Sequence, residues 1–243
     1  MNTPPLKSLG LLIALTLPTL HVSADTLASY VFTSGSLVSN DANSDSTASS
    51  FSAGAGLAGV TTSYTSGWAQ VGGDQLVQSQ GTLTDLGTAI TNNDYFTFTV
   101  APSEGFQLNL TSLTLGVAAY RASAASTSVK ASFYALSSVN GFTTANLINS
   151  IQTTQQNAPF TFDTLNVDLS SIGYQSVTAP VEFRIYMVMN TSGTTRYTAI
   201  DNITLTGTLT TSSVPEPSSY ALLLGAALLG ICAVRRHSRP ARS

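Results

Sequence analysis

From Asp25 onward the chain places an apolar residue at every second position in a series of short runs. Phe96, Phe98 and Val100 alternate with Tyr95, Thr97 and Thr99, and Leu113, Leu115 and Val117 alternate with Ser112, Thr114 and Gly116. The same period holds for Val129, Ala131 and Phe133 against Lys130, Ser132 and Tyr134, and for Val181, Phe183, Ile185 and Met187 against Glu182, Arg184, Tyr186 and Val188. Ile203, Leu205 and Leu209, with Thr204, Thr206, Thr208 and Thr210 opposite, close the series. Successive side chains of a strand point to opposite faces, so this period predicts half-buried strands with one apolar and one wet face. Segments rich in Gly, Ser, Asn and Asp at 39–50, 71–74, 92–94, 137–141 and 190–193 supply the turns. No helical period longer than about 12 residues interrupts them. Many short strands without alternating helices predict one all-β antiparallel β-sandwich over residues 25–213, with a jelly roll as first choice.

Two longer apolar stretches flank this pattern. Leu9–Leu20, after Lys7 and before Val22-Ser23-Ala24, has the parts of a secretory signal peptide over residues 1–24, cut after Ala24. Its run of about 12 apolar residues is too short for a membrane span, which needs about 20. At the other end Pro215-Glu216-Pro217 can continue neither strand nor helix and predicts an extended, accessible segment. Residues 218–234 then read as a transmembrane helix. Arg235 and Arg236, with Arg239 and Arg242, form its stop on the cytoplasmic side and leave the domain outside. Cys232 inside this helix reads as a small apolar residue, a lipid-modified thiol being the alternative.

Tripeptide, apolar helix and basic stop in this order resemble the PEP-CTERM sorting signal, here over residues 214–243. The resemblance implies recognition by an exosortase, a transpeptidase-like membrane enzyme, with cleavage near the tripeptide. It further implies a precursor held in the inner membrane by the C-terminal helix, then release to the cell surface or beyond, and an association with exopolysaccharide.

Charge sharpens this picture. Only 9% of residues are charged, so the domain surface must be built mainly from hydroxyls and amides, as suits an extracellular β protein. Between Asp25 and Val214 four cations (Arg121, Lys130, Arg184, Arg196) face eleven carboxylates, a net charge of −7. Such a domain repels a phosphate backbone, which argues against nucleic acid as a partner. With a single cysteine no intramolecular disulfide forms, and core packing alone must hold the fold.

The two histidines, His21 and His237, lie outside the domain, so Ser-His-Asp, Cys-His and His/Cys zinc arrangements cannot be built in it. Ala53-Gly54-Ala55-Gly56 does not match the glycine spacing of phosphate-binding loops. Carboxylates remain: Glu104, Asp163, Asp168, Glu182 and Asp201. A glycosidase needs two of them about 5–9.5 Å apart, whereas turn capping and solvation account for them without catalysis. We therefore expect no catalytic residues and no required cofactor. A carboxylate-dependent glycan hydrolase on the same fold and a structural matrix protein without specific ligand are the alternatives.

Three features are candidate sites. Asp201 is expected to open the final strand beside Asn202, and together they offer oxygen ligands for a structural Ca²⁺ or, more plainly, bond the local backbone. The segment 199–207 resembles the terminal strand of galactose-binding and carbohydrate-binding-module jelly rolls, and that resemblance implies such an ion. Asp41, Asn43 and Asp45 imitate the opening of a Ca²⁺ loop but lack its Gly and terminal Glu, so a disordered polar loop is the expectation. Trp68, with Tyr64, either enters the core or stacks on a sugar ring, and polysaccharide is the candidate ligand. The threonine row of the last strand reads as ordinary outward positions, a flat ice- or glycan-facing ladder being the alternative.

Overall fold

The structure is a computed structural model that describes residues 24–41, 43–57, 62–66, 74–79, 85–121, 130–154, 161–189 and 196–212. The expected signal segment before Ala24, Trp68, the Pro-Glu-Pro tripeptide, the apolar run 218–234, Arg235 and Arg236 lie outside the described residues. Twelve strands are described: β1 (Asp25–Tyr30), β2 (Ser46–Ala48), β3 (Ser52–Ala53), β4 (Thr62–Ser66), β5 (Asp74–Ser79), β6 (Tyr95–Pro102), β7 (Phe106–Arg121), β8 (Lys130–Ser137), β9 (Asn149–Thr154), β10 (Asp163–Asp168), β11 (Val181–Met189) and β12 (Arg196–Thr211). One short helix, α1 (Leu86–Asn92), precedes β6. Among the described residues no helix is long and apolar enough to cross a membrane.

The strands make two antiparallel sheets, as the period of two predicts. The first runs β10-β7-β12-β5-β4, with β1 also paired to β12; the second runs β2-β6-β11-β8-β9, with β3 also paired to β6. The backbone of the first sheet is the β7–β12 ladder, which pairs Arg196 with Arg121 at one end and Thr211 with Phe106 at the other. On its other edge β12 carries β5 against residues 197–200 and β1 against residues 203–207.

The inward faces merge into one core. Leu113, Leu115, Val117, Leu165, Val167, Ile203 and Leu205 come from the first sheet, and Phe96, Phe98, Val100, Phe133, Phe183 and Ile185 from the second; all are buried in a single cluster. Each such side chain contributes about 1.5–3 kcal/mol of burial. Phe51, from the segment after β2, ties the layers: its ring lies 5.4 Å from Tyr30 of β1 and 5.7 Å from Phe96 of β6. Phe98 continues the chain of rings to Phe183 at 5.3 Å.

Two expectations are corrected. The final strand opens at Arg196, so Asp201 sits inside it and not at its start. The wet face expected for Tyr186 is covered, because α1 and the segment around Phe142 and Leu147 lie over that side of the second sheet. There Leu86, Ala89, Leu136 and Tyr186 form a second, smaller buried cluster. Asp85 starts α1 by accepting the Thr88 N–H at 3.0 Å, and Asn93 ends it in the left-handed region at φ 60°. The backbone of Gly54 and Gly56 runs directly against this turn, with the Gly54 N–H on the Tyr95 carbonyl at 2.7 Å. A Cβ on Gly56 would collide with the Asn92 carbonyl, which explains glycines that match no phosphate loop.

Candidate functional site

Asp201 marks an irregularity in the β7–β12 ladder. It pairs with Gly116, and the register then skips to Thr204 opposite Thr114, with Asn202 in the left-handed region at φ 49°. This is a bulge, and Asp201 holds it closed: one carboxylate oxygen accepts the Asn202 N–H at 2.7 Å and the other accepts from the Asn202 side-chain amide at 2.9 Å. Asp201 is buried. A calcium ion takes six to eight oxygens by general rule, and among the described residues no three His, Cys, Asp or Glu side chains gather as metal donors.

The Asp41-Asn43-Asp45 segment folds as successive side-chain turns, the Asn43 N–H on Asp41 at 3.0 Å and the Asp45 N–H on Asn43 at 2.9 Å. With Asp25, Thr26 and Ser44 these residues line an open cleft of about 400 Å³. Asp45 also anchors the next loop, its carbonyl accepting the Ser103 N–H at 2.8 Å. Behind the cleft the Tyr30 hydroxyl donates to the Ser49 carbonyl at 2.6 Å, and burial, aided by Asp41, raises its pKa well above the usual phenol value.

The outer face of the first sheet is a hydroxyl and amide surface. Registers align Asn166, Thr114, Thr204 and Ser29 in one row across four strands, and Asp168, Ser112, Thr206 and Thr26 in the next. The hydroxyls are tied to neighbours: Ser112 and Thr206 lie 2.8 Å apart, and Thr210 accepts from Gln107 at 3.0 Å and Asn109 at 3.2 Å. The threonine row is thus knitted into its own sheet.

The outer face of the second sheet holds a constellation that sequence patterning did not single out. The Arg184 guanidinium stacks between the rings of Tyr95 at 4.1 Å and Phe142 at 3.7 Å, and its Nε donates to Glu182 at 2.7 Å. Thr97 donates to the same Glu182 oxygen at 3.0 Å. The pair is only 20% and 29% exposed, so it is less screened than a surface ion pair. The second ring over Arg184 comes from Phe142, in the loop between β8 and β9, and so is invisible in the pattern of β11 alone. Tyr64 lies in β4, paired with Leu76 of β5.

Both ends of the described domain leave on one side. Asp25 pairs with Gly207, and β12 runs four residues further to Thr211, after which the Ser212 N–H bonds the Gly105 carbonyl at 2.7 Å. Ala24, the expected cleavage residue, is exposed directly ahead of β1. Residues 213–236, starting two positions past β12, match a family model described as the PEP-CTERM protein-sorting motif. This segment is a PEP-CTERM sorting signal. Such a signal indicates an exported protein, sorted by an exosortase and targeted to the surface.

No curated protein matches the chain. Among solved structures it is similar to the K3 cleaved adhesin domain of Lys-gingipain from Porphyromonas gingivalis, at 12% identity and a TM-score of 0.36 over 76% of this chain and 99% of that one. It is also similar to the CBM22-1–CBM22-2 tandem domain of Paenibacillus barcinonensis Xyn10C, at 11% identity and a TM-score of 0.38 over 81% of this chain and 50% of that one. A family 11 carbohydrate-binding module from Clostridium thermocellum, in complex with a mixed-linked tetrasaccharide, follows at 15% identity and a TM-score of 0.28 over 66% and 86% of the two chains.

Proposed function

We propose that this PEP-CTERM chain is an exported protein whose mature part is a non-catalytic jelly-roll β-sandwich, displayed at the cell surface or in an exopolysaccharide matrix after exosortase processing. The observation that carries the reading is the junction: the sorting motif starts at 213, two positions after β12 ends at Thr211. The leader and the sorting signal therefore attach to one end of a folded unit, as a doubly tethered precursor requires. The jelly-roll assignment rests on strand order. β5-β12-β7-β10 faces β6-β11-β8-β9, and the chain alternates between the two as it runs from β5 to β8 and from β9 to β12.

The non-catalytic reading is supported by the duties that the acids perform. Asp85 caps α1, Asp168 accepts the Ser170 N–H at 2.9 Å, Glu182 holds Arg184, and Asp201 closes its bulge. Backbone hydrogen bonds push the pKa of Asp85 and Asp168 below the usual carboxylate range, the direction opposite to that of a general acid.

The test is expression in a host with and without its exosortase, followed by fractionation and mass measurement. The wild-type chain should lose its C-terminal segment and reach the surface only where the exosortase is present, and a P215A/E216A/P217A variant should stay full length in the membrane. Equal processing in both hosts contradicts the sorting reading. Reducing ends released from a polysaccharide panel contradict the non-catalytic one.

A further inference from the structure

The chain leaves the sandwich under close restraint. Among the described strands, residues 208–211 of β12 pair with β7 alone, because β1 begins opposite Gly207. They are nonetheless fastened: Thr210 accepts from the side-chain amides of Gln107 at 3.0 Å and Asn109 at 3.2 Å, and Leu209 packs against the core. The Ser212 N–H then bonds the Gly105 carbonyl at 2.7 Å, and the sorting motif begins at the next residue, 213. A chain spans at most about 3.6 Å per residue. Pro215 therefore lies within about 11 Å of Ser212, and Pro217 within about 18 Å, whatever path joins them.

Even a 100-residue domain has a radius of gyration of about 13 Å. An enzyme that closes on the tripeptide therefore meets this end of the sandwich, unless the end of β12 first unzips. What it meets is exposed and acidic. The turn between β6 and β7 stands beside Ser212, with Glu104 and Gly105 exposed. Gly105 is in the left-handed region at φ 83°, with open space where a side chain would be. The Asp45 carbonyl accepts the Ser103 N–H, which joins this turn to the open cleft lined by Asp25, Asp41 and Asp45. Four carboxylates thus share the end from which the sorting segment leaves. The four cations of the domain stand elsewhere. Arg196 pairs with Arg121 at the opposite end of the ladder, Lys130 pairs with Thr154 at the start of β8, and Arg184 is held by Glu182 on the outer face of the second sheet.

We propose that this end is a docking surface for the exosortase, which seats a cationic face against Glu104 and the neighbouring aspartates and takes the tripeptide from there. The chain itself sets the occupant, since the segment that the enzyme must reach starts one residue beyond the bond from Ser212 to Gly105. Charge sets its chemistry, since the surface offers carboxylates and, among the described residues, no cation. The enzyme then reads the folded sandwich as well as the tail. The inference rests on the sorting reading and names the surface of the domain at which sorting takes place.

The experiment incubates the folded full-length chain, in nonionic detergent, with membranes from cells that make the exosortase, and follows initial processing rates by mass spectrometry. Glu104→Arg combined with Thr211→Arg puts two cations at exposed positions of this end. That variant should lose at least about fivefold in kcat/KM, carried by KM, and melt at the parent temperature. Thr164→Arg, at an exposed position of β10, controls for added charge and should be processed like the parent. Parent processing should slow as salt rises. Thr210→Val removes the acceptor of both amides and tests the unzipping route; it should be processed no faster than the parent. The same holds for a chain with six glycine and serine residues inserted after Ser212. Parent-level processing of E104R/T211R overturns the proposal, as does faster processing of T210V or of the insertion variant. A parent that is not processed at all overturns the sorting reading along with this one, whereas a processed parent with E104R/T211R equal to it overturns docking alone.

Discussion

The two outer faces of the sandwich began with the same alternating pattern and ended in different states. The first sheet leaves Thr114, Thr204 and Thr206 half-exposed and bonded laterally, with nothing laid over them among the described residues. The second sheet buries Tyr186 and Leu136 completely beneath α1 and the Phe142 loop, and holds Arg184 between two rings. A period of two decides which residues share a face. It does not decide which of the two outer faces acquires a cover.

That comparison can be tested by removing side chains from each layer. Phe98, in the shared core against Tyr30 and Phe183, sets the scale: Phe98→Ala should cost about 3–5 kcal/mol by denaturant unfolding. Leu136→Ala, on the covered outer face, should cost about 2–4 kcal/mol, a core-like value for a residue that the alternation alone would call external. A loss under about 0.5 kcal/mol would mean that the cover is not seated in solution. Arg184→Ala should cost about 1–2 kcal/mol, less than Leu136→Ala, through loss of the stacking and the Glu182 contact. Thr204→Ala, on the open face, should stay within about 0.5 kcal/mol, and a larger loss would show that this face is also occupied.

Acid and alkaline melts extend the contrast. Asp85 and Asp168 have folded pKa values lowered by backbone N–H donors, from a usual 3.8. Their contribution is complete above that value and disappears as pH falls through the lowered ones, so melting temperature should drop below about pH 4. Burial raises Tyr30, Tyr174 and Tyr186 above the usual 10.0, which favours their neutral form in the fold. Their contribution is complete below that value and is lost as pH climbs above it. Tyr30→Phe should blunt the alkaline loss, since the phenol that must not ionise is gone; an unchanged alkaline limb would contradict its buried placement.

The strands and their inward faces were legible because alternation is a local signal. Phe96, Phe98 and Val100 face inward, as do Leu113, Leu115 and Val117, and so do Val181, Phe183, Ile185 and Met187. The sorting tail was legible for the same reason, being a contiguous string. The start of the last strand was missed because Arg196–Ile200 carries no clean alternation: Thr198, Ala199 and Ile200 are buried in succession where β12 is hemmed in by β5 and β7. The seven-residue α1 was too short to show a helical period, though Asp85 three positions before Thr88 is a capping signal that could have found it. The Arg184 stack joins β6, β11 and a distant loop, and no spacing along the chain encodes such a meeting.

The place of β12 has a consequence for timing. Among the described residues, the last strand in chain order is the middle of the first sheet, flanked by β7, β5 and β1. Until residues 196–211 have been made, β1 lacks its pairing strand and β5 has only β4, and closing the ladder onto β7 spans the 74 positions from 122 to 195. The first sheet thus closes only when the strand at its centre is in place, whereas the second sheet is complete without it.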